Sequence, residues 1–484
     1  MNRPIMPSLS SPIWLALIVL AGLGLRSLHY FRAPAVWHDE AALILNVVNL
    51  DFAQQLGKLL GHEAAPPAFL WTERAIVLAL GDSVAMLRLL PFLASCASLI
   101  VFALLARRML TSGAAYLAAA LFAVSDRLLW HACEAKPYAV DVFIAVSVVY
   151  GNMLTRHWSL ARQGLLWLFV LPVLPWLSFP ACFVAGGLML SLLPRLVREG
   201  STRDWLAACA LALATAGSFY VLVTGPIRAQ QDESMVSCWV EMFPDWNKPA
   251  SVPLWTLLSS LEVINYDIAP QGLLLTAFAI VGGIVWWNNG RRGLVVALAA
   301  PALLTLLAAL LKRYPFGGAR VLVFTAPAAC LLVAAGVGPV CDWLRRQHRL
   351  AVLGVWVLLA FPFLHTAHRA IVPWDRADTA SASQYVLANW QPGDRVAFNH
   401  CEFEYYFRDR DAAWVDPEQV PHTPPKRIWL VTTSKVPAER EGLLTMMASG
   451  RPLTDRRDFR HVTVALLNPN GSTWDSTSPT ASLP

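Results

Sequence analysis

Four short clusters in this 484-residue chain hold the side chains that could do chemistry. The first is Trp37-His38-Asp39-Glu40, which follows an apolar run. A carboxylate at a membrane–water boundary can act as a general base, because partial burial raises its pKa toward the working range. Asp39 and Glu40 read equally as solvated loop acids. The second cluster is Gly61-His62-Glu63-Ala64-Ala65-Pro66-Pro67. Its His62–Glu63 pair could bind a metal or position a hydroxyl, or it could be a surface loop stiffened by two prolines; the spacing fits no standard metal motif.

The third cluster runs from Asp126-Arg127 to His131-Ala132-Cys133-Glu134-Ala135-Lys136-Pro137-Tyr138. Charged groups at membrane depth are costly unless paired or facing a wet cavity. An Arg127/Glu134/Lys136 ion-pair cluster that holds helices together is compatible with a functional role, and Asp141 stands a turn away as a partner. The fourth is Lys312-Arg313-Tyr314-Pro315-Phe316-Gly317-Gly318-Ala319-Arg320, which packs three cations, a phenol and two glycines into nine residues. Cations clamp phosphate and glycines let backbone N–H groups approach it. Contact with lipid head groups is the alternative for this loop.

The elements that must position these clusters are apolar helices. Hydrophobic residues make up 56% of the chain and charged residues 14%, against roughly 25% charged in an ordinary soluble domain. The apolar residues come in long blocks, near 12–31, 84–106, 113–130, 137–155, 163–178, 180–197, 204–224, 268–287, 293–311, 319–339 and 350–368. Most approach the ~20 residues that cross a bilayer, so about eleven transmembrane helices are expected. The blocks 163–178 and 180–197 meet at a Pro175…Pro180 stretch that reads as a tight turn or a kink. The first block has Arg3 ahead of it and no small-x-small cleavage signature after it, so it reads as a retained helix.

With the N-terminus in the cytoplasm, the cytoplasmic loops carry Arg107-Arg108, Arg156 with Arg162, Arg195-Arg198-Arg203, Arg291-Arg292 and Arg345-Arg346-Arg349. This is the inside-positive pattern, and it accounts for the net charge of +6 without a nucleic-acid partner. The same alternation sends 32–83, 131–136, 225–267 and 312–318 outside, so all four clusters fall on one side. Asn46–Leu60 and Ala68–Leu80 read as short interfacial helices. Of the eight cysteines, Cys96, Cys182, Cys209 and Cys330 lie in apolar blocks; Cys133, Cys238 and Cys401 face outward, where a disulfide is allowed but not implied.

The expected architecture is an all-α polytopic membrane domain over 1–370, with an external first loop at 32–83, followed by a small α/β extracytoplasmic domain over 375–467. In that domain Thr379–Asn389 reads as a helix, and Arg395–Phe398, Arg427–Thr432 and His461–Leu467 as strands. The Ser-, Thr-, Pro- and Asn-rich segment 468–484 reads as a disordered tail.

Together, the acidic first loop and the cation-rich fourth cluster suit a substrate with a phosphate and a lipid tail. The chain resembles the bacterial membrane glycosyltransferases of the GT-C fold, relatives of the protein O-mannosyltransferases and of the aminoarabinose transferase that modifies lipid A. The features that carry the resemblance are Asp39-Glu40 in the first external loop, His62 with Pro66-Pro67, Glu134-Ala135-Lys136-Pro137-Tyr138 resembling the family's Glu-Ala-Arg-x-Tyr, and Tyr314-Pro315-Phe316-Gly317-Gly318-x-Arg320. It extends over about residues 10–370. It implies inverting transfer from a polyprenyl-phosphate sugar to a lipid, glycan or protein acceptor, outside a bacterial cytoplasmic (inner) membrane. It further implies Asp39 as the base and Lys136 and Arg320 near the donor phosphate, with Lys136 where Arg is more usual and a bidentate fork is lost. A divalent metal is neither required nor excluded. A transporter or flippase of lipid-linked glycans is the competing reading; it needs polar or broken helices at the bilayer midplane, and 268–287, 293–311 and 350–368 have almost no charge there.

Overall fold

The computed structural model describes residues 12–231, 237–410, 412–414, 427–448 and 450–467. The expected tail at 468–484 lies outside these. The chain divides into two compact units, one of residues 1–33 and 50–373, the other of residues 34–49 and 374–484. Sequence order assigns 34–49 to the first external loop; by packing it belongs with the C-terminal residues.

The membrane unit consists of helices. In chain order they are α1 (Pro12–Phe31), then, after α2 (His38–Asn49) of the other unit, α3 (Pro67–Leu80), α4 (Leu89–Met109), α5 (Ser112–Val124), α6 (Asp126–His131), α7 (Tyr138–Thr155) and α8 (Leu160–Val170). They continue as α9 (Ala181–Glu199), α10 (Thr202–Leu222), α11 (Val252–Asp267), α12 (Gly272–Asn288), α13 (Arg292–Leu310), α14 (Ala326–Gln347) and α15 (Ala351–Ile371). Among the described residues nine helices are long and apolar enough to cross a membrane, α8 by running on to Leu177, and α11 with α12 raises the number to ten if that bent pair counts as one span. The eleventh apolar block is α5, whose 13 residues fall short of a bilayer's thickness.

The breaks have local causes. The α8 span continues through a helical turn at Leu174–Leu177; Ser178 then takes an extended conformation and Pro180 opens the next helix, so the turn between the two spans lies at Ser178–Pro180. Between α11 and α12 the axis turns by 101°. Pro270 has no N–H to continue a helix, and Gly272 sits so close to α11 that a Cβ there would lie 1.9 Å from the Ile264 carbonyl oxygen. The expected helix over Asn46–Leu60 is not continuous: it stops at Asn49, and the Asp51 carboxylate accepts from the N–H groups of Ala53 and Gln54 at 2.9 and 2.8 Å. That local acceptor competes with helix propagation.

Helices α12 and α14 pack through glycines. A Cβ on Gly282 would stand 2.0 Å from the Leu332 carbonyl oxygen, and one on Gly336 would stand 1.9 Å from that of Phe278. Without a hydrophobic drive between helices in lipid, such close backbone approach supplies the van der Waals contact. One charge inside the bundle, Arg26 of α1, is fully buried. Its Nε donates to Ser95 Oγ at 2.9 Å, and its Nη1 donates to the carbonyls of Gly22 and Ala123 at 3.1 and 3.2 Å. Satisfied donors make a guanidinium tolerable there.

The second unit is α2 with a small α/β domain: α16 (Thr379–Ala388), β1 (Arg395–Phe398), α17 (Glu402–Tyr406), β2 (Ala412–Trp414), β3 (Ile428–Thr433), α18 (Pro437–Ala448), β4 (Leu453–Phe459) and β5 (Val462–Leu467). The sheet order is β2-β1-β3-β5-β4, parallel from β2 to β3 and antiparallel from β3 to β4. The period of two sends Val396, Phe398, Trp429, Val431 and Val464 to one face, against Ala382, Val386, Phe403 and Phe407. Ala397, Leu430 and Ala465 cover the other face with Leu444 and Met447 of α18. Expected and observed strands agree to within a residue; β2, β4, α17 and α18 were not legible in the sequence.

Candidate functional site

In the membrane unit the polar groups gather at the link between α6 and α7. Ser125 caps α6, its Oγ accepting from Leu128 N–H. The six-residue helix ends at His131, and Pro137 restarts the chain as α7. This places His131, Glu134, Lys136 and Tyr138 in one tight turn. His131 Nδ1 lies 2.7 Å from Glu134 Oε2, and His131 Nε2 lies 2.9 Å from Tyr266 Oη at the end of α11. A carboxylate only accepts, so Nδ1–H donates to Glu134, while Nε2 faces the Tyr266 hydroxyl. Lys136 Nζ donates to Glu63 Oε1 at 2.8 Å, and both Lys136 and Glu134 are buried. Arg320 Nε donates to Tyr138 Oη at 2.8 Å, and its guanidinium lies 5.3 Å from the Trp239 ring centre. Arg127 stacks over Tyr266 at 4.9 Å, and the rings of His131 and Tyr138 are 4.8 Å apart.

Three cations, Arg127, Lys136 and Arg320, thus share one network with two carboxylates, Glu63 and Glu134. Cations set beside aromatic rings can meet an anionic ligand, with Asp267 a further buried acid next to Tyr266. The remaining cations of the fourth cluster stay out of it. Lys312 is exposed. The Tyr314 hydroxyl donates to the Val321 carbonyl at 3.1 Å, and its ring packs on Phe183. Gly317 and Gly318 make room for neighbours: a Cβ would meet Met242 Sδ at 2.7 Å and the Glu262 carbonyl at 3.0 Å, respectively. His62 is exposed with φ 55°, while its neighbour Glu63 turns to Lys136. Asp126 faces His365 and Arg369 at 3.5 and 3.7 Å.

The second unit holds His38, Asp39 and Glu40 in the first turn of α2, where the helix dipole favours negative charge. Asp39 is 9% exposed, Glu40 is fully buried, and His38 is exposed. The C-terminal residues grip the backbone leading into α2. Tyr406 Oη accepts from Val36 N–H at 3.1 Å and Thr379 Oγ1 donates to the Val36 carbonyl at 3.0 Å. Arg376 Nη1 donates to the Ala35 carbonyl at 3.3 Å and stands 3.7 Å from Glu40 Oε2. Cys401 Sγ donates to the His38 carbonyl at 3.3 Å. Cys401 also belongs to a His400/Cys401/Glu402 group whose ligand atoms all lie within 4.8 Å of one another, an arrangement able to coordinate a metal ion.

Sequence reasoning missed Trp239, Tyr266, Arg376 and this last group as candidates. Tyr266 ends an amphipathic stretch just before a helix break, a usable signal; nothing in the sequence marks Trp239. His400-Cys401-Glu402 is legible as a ligand-type tripeptide, but its three side chains converge only because a strand ends just before it.

The architecture is that of an all-α polytopic membrane protein of GT-C-like fold with a small C-terminal β-sheet extension. The crystal structure of ArnT from Cupriavidus metallidurans bound to undecaprenyl phosphate is similar to this chain with a TM-score of 0.58, at 12% sequence identity, over 95% of this chain and 99% of that one. The apo structure of the same protein is similar with a TM-score of 0.54 at 13% identity, over 94% of this chain and 97% of that one. At these identities the likeness is one of fold. No protein-family model and no curated protein sequence matches the chain.

Proposed function

We propose that this protein is an inverting membrane glycosyltransferase. It moves a sugar from a polyprenyl-phosphate donor to a lipid, glycan or protein acceptor on the outer face of a bacterial cytoplasmic membrane, with its N-terminus inside. The observation that carries this reading is the Arg127/Lys136/Arg320 network with its paired carboxylates. It occurs in a chain whose fold matches a protein crystallised with undecaprenyl phosphate.

In the proposed step the acceptor's hydroxyl or amine loses its proton to Asp39. The electron pair so freed forms the new bond to the sugar's anomeric carbon from the side opposite the phosphate. The bond from that carbon to the phosphate oxygen breaks, and the phosphate leaves with its electron pair. Lys136 and Arg320 neutralise the charge that develops on it. Glu63 orients Lys136, and Tyr138 orients Arg320, so that both cations are set before the charge appears. Glu40, held by Arg376, fixes the first turn of α2.

The test is transfer of label from a panel of radiolabelled polyprenyl-phosphate sugars to membrane acceptors. Wild type labels a product, and Asp39→Asn loses about 10²- to 10⁴-fold in rate while it stays cooperatively folded, at a cost of about 1 kcal/mol or less for the lost charge in the first turn. Full activity in Asp39→Asn removes Asp39 as base. Vesicle flux of a lipid-linked sugar with no acceptor product would replace the transferase by the flippase.

A further inference from the structure

We propose that His400, Cys401 and Glu402, joined by His38 of α2, form a zinc site that fastens the first turn of α2 to the α/β domain. The turn that carries the three consecutive ligands is built. Strand β1 ends at Phe398, and the Asn399 side chain locks the turn to β3, donating from Nδ2 to the Thr433 carbonyl at 3.0 Å and accepting from Thr433 N–H at 2.8 Å. The carbonyls of His400 and Cys401 then accept from Phe403 and Glu404 N–H at 3.3 and 3.1 Å, opening α17. The result brings an imidazole nitrogen, a thiol sulfur and a carboxylate oxygen within 4.8 Å of one another. Three adjacent residues of an extended strand would send alternate side chains to opposite faces; the turn is what lets them converge.

The fourth group comes from the far end of the sequence. The His38 ring centre lies 5.1 Å from that of His400, and Cys401 Sγ is 3.3 Å from the His38 carbonyl oxygen. The His38 backbone thus meets the thiol, and its ring stands beside that of His400. Nitrogen, sulfur and a single carboxylate oxygen are the donor set of zinc; magnesium and calcium take oxygen ligands throughout. His400 Nδ1 and Glu402 Oε2 lie 2.5 Å apart and hold a proton between them. A divalent cation would take that proton's place and the thiol's proton as well. Glu402 is buried while His400 is half-buried and His38 exposed, so the group opens to solvent on the histidine side, where an ion enters.

Zinc binding is measured without any transfer assay, so it stands or falls apart from the transferase reading. The full-length chain is purified in detergent, stripped with a chelator and titrated with Zn²⁺ alone. The expected result is one equivalent bound and a raised thermal midpoint. Cys401→Ser and His400→Ala should each weaken binding on the order of tenfold or more, and His38→Ala should weaken it severalfold. A Co²⁺-loaded wild type should show a thiolate-to-metal absorption band that Cys401→Ser lacks. Should these variants misfold, alkylation of the wild type decides: Zn²⁺ should slow modification of Cys401 about tenfold and leave the exposed Cys238 unchanged. Less than half an equivalent of Zn²⁺ on the wild type, wild-type affinity in the His400→Ala/Cys401→Ser double variant, or equal alkylation of Cys401 with and without Zn²⁺ overturns the proposal.

Discussion

The two units hold their reactive side chains by different means. In the membrane unit the groups hold one another: His131 bridges Glu134 and Tyr266, Lys136 meets Glu63, and Arg320 meets Tyr138, all through side chains. In the second unit the backbone is held instead. Val36, Ala35 and His38 are gripped by Tyr406, Thr379, Arg376 and Cys401, from residues more than 340 positions away in the sequence. A network of paired charges is sensitive to the loss of any member, because the partner left behind is a buried charge. A stitched backbone loses one modest hydrogen bond at a time.

That contrast can be broken at several points. After Asp39→Asn, the largest effect is expected from Lys136→Ala, which should lower transfer by about 10²- to 10³-fold and weaken polyprenyl-phosphate binding. Lys136→Arg, keeping the charge, should recover most of the loss. If Lys136→Ala has the affinity of the wild type, the network is not a phosphate site. Next comes Gly282→Val. Its branched side chain meets the α14 backbone, and thermal unfolding in detergent should show a cost of at least about 1–3 kcal/mol. An unshifted midpoint would mean that α12 and α14 are not held together at this crossing.

Thr379→Val should cost only about 0.5–1.5 kcal/mol, one hydrogen bond to the Val36 carbonyl. A loss as large as that of Lys136→Ala would erase the distinction between the units. The smallest effect belongs to Asp375. The hydrogen bond from His461, opposed slightly by burial and aided by nearby Lys435 and Arg460, holds its carboxyl below the usual range. A depressed carboxylate stabilises the fold above its unfolded-state pKa and loses that contribution as pH falls through the folded-state value. Asp375 is mostly exposed, so Asp375→Asn should cost roughly 0.5 kcal/mol or less at neutral pH. The difference should fade as pH falls through the lowered folded-state value of Asp375, as followed by tryptophan fluorescence.

Much of this was legible in the sequence, for unequal reasons. The apolar blocks announce themselves because a bilayer fixes their length, and only α5 and the α11–α12 bend escape that rule. Glu134, Lys136 and Tyr138 were legible because charge at membrane depth is conspicuous. Lys312 and Tyr314 looked the same on paper as Arg320. Only the backbone at Gly317 and Gly318, packed on Met242 and Glu262, decides which of the three side chains reaches Tyr138. The allegiance of 34–49 was hidden because chain neighbours predict packing partners well for helices and poorly for a segment that pairs across the whole protein.

That allegiance sets an order of events in biosynthesis. Val36 leaves the ribosome 343 residues before Thr379, the residue that binds its carbonyl. At roughly 5–20 residues per second, α2 waits on the order of 20–70 s for its partners, while helix after helix is inserted behind it. Throughout that interval Asp39 lies on a segment whose anchors have not yet been made. The newborn chain is therefore built with α2 idle, and residues translated some 340 positions later are the ones that set it in place.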